Sequence, residues 1–233
     1  MPQTDRLHID TTELTSFEAV LAELDRLDGQ LRRQQFDQFI VFNKAYSVVT
    51  DAIKTAAEGG YFKNPKFIEA FSAAFAQYYF QAINDTVAGN PELPIAWAKV
   101  NQTADRKVPA FIPLLMGANA HINHDLPLTL LELMNGQKTD ELLRDVLKID
   151  KLLMGAGREI VKTFEEPNKR LDFLRRRLQF LYYRPIMYLI LSWRIGAWRS
   201  YKVIKKNGRD ASRYEKKSIK TADRLLKLGQ LLS

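Results

Sequence analysis

The segment from Phe111 to Met134 constrains the fold of this chain more than any other segment. It contains no lysine or arginine, and it is apolar on nearly every side when it is drawn as a helix. A helix that is apolar all round is buried on most of its sides, so other helices must surround this one. Pro127 lies inside it, and because proline lacks an amide hydrogen, we expect a kink or a restart there.

The rest of the chain predicts those surrounding helices. Apolar residues recur at helical spacing, and no stretch shows the alternating pattern of a strand. Thr15 and Glu18 form a capping box at one helix start, and Gly59-Gly60 marks one helix end. The first two helices could also be one helix broken near Gly29. The predicted spans are residues 17–33, 36–58, 65–87, 95–104, 113–135 and 140–165, a helix from 168 that is disturbed at Pro185, and a last helix capped by Asp210.

The chain shows no fixed-period repeat and no low-complexity linker, which indicates a single domain over residues 1–233. We expect an all-α bundle of about seven or eight helices around the buried, proline-kinked central helix. Residues 1–15 are predicted to be a flexible N terminus. Residues 169–233 are predicted to form basic, aromatic helices that pack on the rest of the domain.

The composition excludes several classes of protein. The chain has no cysteine, which rules out disulfides, thiolate metal ligands and cysteine nucleophiles. Its N terminus lacks the layout of a secretion signal, and no run of about 18 apolar residues predicts a membrane-spanning helix. We therefore expect a soluble, cytoplasmic protein. The net charge of +8 favours attraction to phosphates or anionic lipid, so a peripheral position at the inner membrane surface is also compatible.

The central helix carries polar side chains that could support chemistry: Asn119, His121, Asn123, His124, Asp125 and Glu132. An unpaired buried polar group costs about 1–3 kcal/mol, so these groups either satisfy one another or face a cavity. His121 and Asp125 lie four residues apart and therefore share one face of the helix. Asn119 and Asn123 form a second pair on roughly the opposite face, where they are candidate substrate-binding residues.

The His121–Asp125 pair has two chemical interpretations and one structural interpretation. An imidazole nitrogen and a carboxylate oxygen on one face can bind the same metal ion. They can also act as a base and its orienting group, with His124 as a third candidate catalytic residue. In the structural interpretation, Asp125 caps a helix that restarts at Pro127, and His124 is exposed at the break.

A metal ion would need ligands beyond His121 and Asp125. The chain has only His8 outside this helix as a further histidine, so the missing donors would be carboxylates or amides. The candidates are Asn84, Asp85, Glu132, Asp145 and Asp150. Such an oxygen-rich site suits magnesium, manganese or iron as well as zinc. Haem ligation by His121 is also open, although nothing beyond an apolar helix favours it.

The segment Gly117-Ala-Asn-Ala-His-Ile-Asn-His-Asp-Leu-Pro127 resembles the Gly-x-Asn-Ala-His-Ile-Asn-x-Asp-Leu-Pro signature of a bacterial family of uncharacterised helical proteins. A looser likeness extends from the aromatic third helix through Trp97 to about Ile149. The resemblance implies a helical fold and carries no established activity.

The spacing of His121 and Asp125 is also similar to a fragment of the helical zinc-dependent phospholipase C and nuclease superfamily. In that superfamily, a buried His-x-x-x-Asp fragment supplies ligands to a metal cluster, and the cluster activates water for phosphodiester hydrolysis. The likeness implies the same ligand role for His121 and Asp125. Those enzymes have several more histidines, so we do not expect a trinuclear zinc centre here. A mononuclear or dinuclear site with oxygen ligands remains compatible.

Arginine and lysine residues are interspersed with aromatic residues between positions 169 and 209. This pattern allows three interpretations. The helix could lie in the core with its cationic stems reaching solvent. It could instead lie on an anionic membrane, or bind nucleic acid, which is the least favoured partner because no nucleic-acid motif is present. In the first interpretation the core-facing residues are Leu178, Leu181, Pro185, Tyr188, Leu189 and Ser192. Arg194 is a candidate to point into the site and neutralise a phosphate or carboxylate.

Two functions follow from these patterns. The first is a metal-assisted hydrolase for a phosphate-ester or lipid-like substrate, with its site at His121 and Asp125. The second is a non-catalytic helical module that binds an apolar or amphipathic small molecule, or an anionic membrane surface. The sequence does not indicate an oligomeric state.

Overall fold

The structure is a computed structural model that describes residues 7–104, 108–134, 139–162, 179–207 and 212–233. Some sequence predictions lie outside these residues and stay predictions: the helix stops at Gly136 and Pro167, the Arg175–Arg177 run, Leu178 and the cap at Asp210.

The described residues form helices and no strand, which confirms the all-α fold class. The elements are α1 (Phe17–Arg33), α2 (Asp37–Glu58), α3 (Pro65–Ala88), α4 (Ile95–Ala98), a 3₁₀ turn (Val100–Thr103), α5 (Phe111–Ala120), a π-helical turn (His121–Asp125), α6 (Leu126–Leu133), α7 (Thr139–Lys162), α8 (Gln179–Asn207) and α9 (Ser212–Leu231). We call the continuous run of α5, the π-helical turn and α6 the central rod. None of the described helices is long and apolar enough to cross a lipid bilayer.

The central rod is buried as its sequence predicts. Every residue from Leu114 to Pro127 is buried. The helices α2, α8 and α9 pack along the rod, and α3 packs against its π-helical turn and α6. Gly117 allows α2 to approach closely, because a Cβ atom at this position would lie 2.6 Å from Cγ of Phe42. The rod is therefore the core element around which the other helices are arranged.

The proline inside the rod is accommodated by the π-helical turn rather than by a restart of the helix. The N–H of Leu126 donates to the carbonyl of His121, five residues back. In a regular α-helix the ring of Pro127 would crowd the carbonyl four residues back, and the wider turn relieves this contact. Asp125 has helical angles (φ −77°, ψ −39°) and its side chain caps nothing, so the N-cap interpretation is wrong.

Two helix boundaries near the N terminus differ from the predicted ones. Ser16 rather than Thr15 caps α1, since its Oγ accepts from the N–H of Ala19 at 3.1 Å. The extended backbone of Ser16 directs its hydroxyl over the first turn. α1 and α2 are separate helices that meet at Gln35, whose φ of 61° is left-handed, and Gly29 lies inside α1.

The described part of the predicted flexible N terminus packs on α3. Leu7 and Ile9 are buried. The N–H of Ile9 donates to Oδ1 of Asn84, and Nδ2 of Asn84 donates to the carbonyl of Ile9, both at 2.8 Å. This double hydrogen bond fixes the segment to the fold, because it satisfies backbone groups that would otherwise be buried and unpaired.

The core-facing side of α8 also differs from the predicted one. Its buried residues are Ile186, Met187, Ile190, Trp193, Arg194, Ala197, Tyr201 and Ile204. The predicted core residues Pro185, Tyr188, Leu189 and Ser192 are exposed, and the side chain of Leu181 is outside the described part. The predicted face does not include Arg194, whereas the observed buried face does, because Arg194 pairs with Asp150 on α7. The helix also continues through Pro185.

We expect Gly117→Ala to lower the free energy of unfolding by about 1–3 kcal/mol, because the added methyl group overlaps the Phe42 ring in a packed core. Gly155→Ala is the matched control: its Cβ would meet no atom within 4 Å, and alanine in a helix is favoured over glycine by about 0.5–1 kcal/mol. Urea unfolding followed by circular dichroism checks both variants. Equal effects of the two substitutions would contradict the close approach of α2 at Gly117.

Candidate functional site

The carboxylate of Asp125 is the centre of a buried hydrogen-bond network on the π-helical turn. Its Oδ2 lies 2.9 Å from Nδ1 of His121, and its Oδ1 lies 2.8 Å from Nδ1 of His124. The indole N–H of Trp97 on α4 donates to both oxygens, at 3.1 and 3.3 Å. The structure therefore brings together the three residues predicted to be catalytic. His124 is buried beside Asp125 and is not exposed at a helix break.

These contacts fix the protonation of the network. A carboxylate can only accept hydrogen bonds, so Nδ1 of each histidine carries a proton. Burial raises the pKa of Asp125, but the hydrogen bonds from His121 and His124 outweigh it and lower that pKa from 3.8. Burial lowers the pKa of His121 below 6.5, against the pull of Asp125 and with a further contribution from the charge of Arg194. Near pH 7 His121 is therefore neutral, with a lone pair on Nε2.

The ring of His121 is enclosed by aromatic side chains. Phe75 stacks on it with 3.5 Å between the ring centroids, and Tyr46 meets it edge-on at 4.8 Å. The remaining rings of this cage are Phe42, Tyr79 and Trp97. Nε2 of His121 is buried and has no hydrogen-bond partner in the described part of the chain. Such an atom costs about 1–3 kcal/mol unless a ligand or a water molecule meets it.

A cavity of about 80 Å³ adjoins His121 between α2, α3, the central rod, α7 and α8. Its walls are mostly aliphatic and aromatic side chains from those helices, including Ile53, Phe71, Phe75, Leu153 and Ile190. Thr50 also lines it, but its hydroxyl donates to the carbonyl of Tyr46. Ser72 lines it with a buried Oγ that lacks a hydrogen-bond partner within the described ranges. The cavity is thus apolar with a few polar atoms at defined positions.

Arg194 lines the same cavity, in the position that the sequence suggested for it. It is only 8% exposed. Its Nε donates to Oδ1 of Asp150 on α7, and its Nη2 donates to the carbonyl of Val146 at 3.2 Å. Arg194 therefore joins α8 to α7 and places a positive charge in a mostly apolar wall.

Asn119 and Asn123 lie on another side of the central rod. Nδ2 of Asn123 donates to Oδ1 of Asn119 at 2.9 Å, and Nδ2 of Asn119 donates to the carbonyl of Ser218 at 3.0 Å. Neither asparagine is among the residues that line the cavity. The structure connects this pair to α9, so a substrate in the cavity would not contact them.

The predicted metal donors are not gathered around one point. Within the ranges that the structure describes, no group of three or more histidine, aspartate and glutamate side chains could hold a metal ion. The additional donor candidates have other partners: the backbone of Ile9 for Asn84, Asn90 for Asp85, Tyr78 for Glu132, the N–H groups of Lys63 and Asn64 for Asp145, and Arg194 for Asp150. The oxygens of Asp125 are themselves occupied by three donors.

Comparison with known proteins gives the chain a family. A model for a family of unknown function, DUF5995, matches residues 17–233. The chain belongs to DUF5995. No curated protein and no solved structure matches it. The Asp125 network and the cavity both lie inside the matched part of this DUF5995 protein.

Sequence reasoning identified His121, Asp125 and Arg194 as candidates for this site. It missed the residues that α3 and α4 supply. The aromatic spacing of α3 was visible, yet nothing in it showed that Phe75 stacks on a histidine. Trp97 carried a weak signal, because a tryptophan in an apolar segment needs an acceptor for its indole N–H. Ser72 had no signal, since serine is common in helices that pack closely.

We expect the free energy of unfolding of this DUF5995 protein to fall as the pH drops below 6.5, the ordinary pKa of histidine. The folded pKa of His121 is lowered, so below that pH the unfolded chain binds a proton that the folded chain does not. The slope from one such proton is at most about 1.4 kcal/mol per pH unit. Urea unfolding between about pH 7.5 and 5.5 measures it.

Two variants isolate the contribution of His121 to this slope. His121→Gln should flatten the dependence of stability on pH, whatever it does to stability at neutral pH. His8→Gln removes an exposed histidine and is the control for the loss of one imidazole. A full wild-type slope in His121→Gln would show that another group is responsible.

Proposed function

We propose that this DUF5995 protein binds a small, mostly apolar molecule in the cavity, and that Nε2 of His121 accepts a hydrogen bond from it. The observation that carries the proposal is the buried Nε2, which has no partner among the described residues although His121 is one of the residues that line a cavity. Binding sites for small molecules combine apolar walls with a small number of polar groups that orient the ligand. This cavity has that composition.

The Asp125 network supports the role of His121 as an acceptor. Asp125 accepts from Nδ1, which fixes the tautomer and leaves the lone pair on Nε2. The stacked Phe75 ring and the edge of Tyr46 restrict rotation of the imidazole. His121 is therefore preorganised to meet a ligand hydroxyl or N–H group, at little cost in side-chain entropy on binding.

The position of Ser72 favours a hydroxyl as the ligand group that donates to His121. Its Oγ is buried, unpaired within the described ranges, and one helical turn from Phe75 on the same helix. A serine hydroxyl can donate as well as accept. A ligand hydroxyl can therefore donate to His121 and accept from Ser72.

The metal-assisted hydrolase of the sequence analysis has less support. The likeness to the zinc-dependent phospholipase C and nuclease superfamily rests on the spacing of His121 and Asp125 alone. We retain the segment from Gly117 to Pro127 as the proposed signature of the family, because its residues form the π-helical turn and the close contact with α2. In this proposal the signature builds a binding site and leaves Asp125 a structural carboxylate.

We expect 1-hexanol to bind this protein about threefold to tenfold more tightly than pentyl methyl ether, its isomer without a donor, because only the alcohol can donate to Nε2. Isothermal titration calorimetry measures both affinities. His121→Phe keeps an aromatic ring in the cage and should abolish the preference for the alcohol.

Blocking the cavity provides the control for this experiment. Val49→Phe puts a larger side chain into the cavity wall and should weaken both probes. Val203→Phe makes the same change at an exposed position of α8 and should alter neither affinity. Equal binding of the alcohol and the ether by the wild type, or normal binding by Val49→Phe, would refute the proposed site.

The outer face of α8 favours a second candidate function, contact with an anionic membrane. Tyr188, Ile195 and Val203 are 55%, 52% and 39% exposed. Exposed cations lie along the same helix, at Arg184, Arg199, Lys202, Lys205 and Lys206. Apolar residues flanked by cations are typical of helices that lie in the headgroup region of an anionic bilayer.

We expect the protein to co-sediment with vesicles that contain phosphatidylglycerol and not with vesicles of phosphatidylcholine alone, because the attraction to the cations requires anionic lipid. Ile195→Asp should reduce the bound fraction at least about threefold, since it removes apolar contact and adds a repelled charge. Ile95→Asp, at an exposed isoleucine of α4, is the matched control. Equal losses in the two variants would argue against α8 as the contact.

A further inference from the structure

We propose that the cavity selects a monocarboxylate, and that Arg194 binds the ligand carboxylate in exchange for Asp150. The inference rests on the proposed function, because it requires a ligand in the cavity. It adds the chemical class of the ligand: an apolar body with one carboxylate, and a hydroxyl or N–H group for His121.

Arg194 has hydrogen-bonding capacity that its described contacts do not use. A guanidinium group carries five N–H donors in a planar fork. In the described structure only Nε and Nη2 donate, one to Asp150 and one to the carbonyl of Val146. The fork of an arginine matches the two oxygens of a carboxylate, so an anion that enters the cavity has donors to meet.

The two partners of the ion pair differ in their access to water. The side chain of Arg194 is 8% exposed, whereas that of Asp150 is 26% exposed. Asp150 can therefore turn towards solvent while Arg194 stays in the cavity wall. A buried arginine without an anion is strongly destabilised, so Asp150 leaves only when another carboxylate takes its place.

The exchange preserves the charge balance inside the protein. One carboxylate replaces another beside Arg194, so the sum of the buried formal charges does not change. The charge of Asp125 is already met by three donors and repels the incoming anion less than a bare carboxylate would. A phosphate monoester would bring about two negative charges near pH 7 and would upset this balance, which favours a carboxylate.

The neutral state of His121 assigns the two polar groups of the ligand to different positions. Nε2 of His121 has a lone pair and no proton, so it cannot donate to a carboxylate. Arg194 has only donors, so it cannot accept from a hydroxyl. The carboxylate therefore goes to Arg194, and the donor of the ligand goes to His121.

Titration of hexanoate and 1-hexanol into four proteins tests this assignment. In Asp150→Asn the competing carboxylate is gone, so hexanoate should bind at least about tenfold more tightly than to the wild type, while 1-hexanol changes by less than about twofold. Arg194→Met should lose most of the affinity for hexanoate and retain 1-hexanol. Asp223→Asn, an exposed acid paired with Lys99, makes the same change in net charge and should leave both affinities unchanged.

The outcomes separate the two proposals. Binding of 1-hexanol together with a hexanoate affinity that Asp150→Asn does not raise would overturn the carboxylate assignment and leave the proposed function standing. If neither probe binds the wild type, the proposed function fails and this inference fails with it. Circular dichroism shows whether Arg194→Met folds, and if it does not, the result for Asp150→Asn decides alone.

Discussion

A negative charge in a helical core has to be paired, and in this protein that requirement organises the centre of the fold. The carboxylate of Asp125 is 1% exposed and is met by His121, His124 and Trp97. Two of these donors come from the central rod itself, and the third comes from α4. Loss of any one donor would leave part of a buried charge unsatisfied, which costs far more than the bond contributes to stability. The positions of α4 and the π-helical turn are therefore coupled through one side chain.

The same pairing gives the two nitrogens of His121 different surroundings. Nδ1 donates to Asp125, whereas Nε2 is buried and has no partner in the described structure, although His121 is among the residues that line the cavity. The close approach of α2 at Gly117 contributes to this arrangement, because it brings Phe42 and Tyr46 against the imidazole. The packing that stabilises the core thus also restricts the orientation of the imidazole ring.

Two carboxylates of this region, Asp125 and Asp150, differ in a way that bears on the proposals. Asp125 is enclosed and accepts from three donors in the core. Asp150 is partly exposed and pairs with a single buried arginine. An enclosed carboxylate is fixed in place. A partly exposed carboxylate can turn towards solvent while another anion takes its place. This difference is the reason that we assign a structural role to the first and a replaceable role to the second.

The sequence alone determined the helical class, the burial of the central rod and the pairing of His121 with Asp125, because helical periodicity and i,i+4 spacing are local properties. It could not determine that Pro127 is relieved by a π-helical turn, since a restart at a capping Asp125 satisfies the same local rules. It also misplaced the buried face of α8, because the burial of Arg194 depends on a partner 44 residues away in sequence. Tertiary structure alone decided that Trp97, Phe75 and Ser72 join the site and that Asn119 and Asn123 do not. The physical reason is that helical spacing specifies which residues share a face, while the packing of helices decides what each face meets.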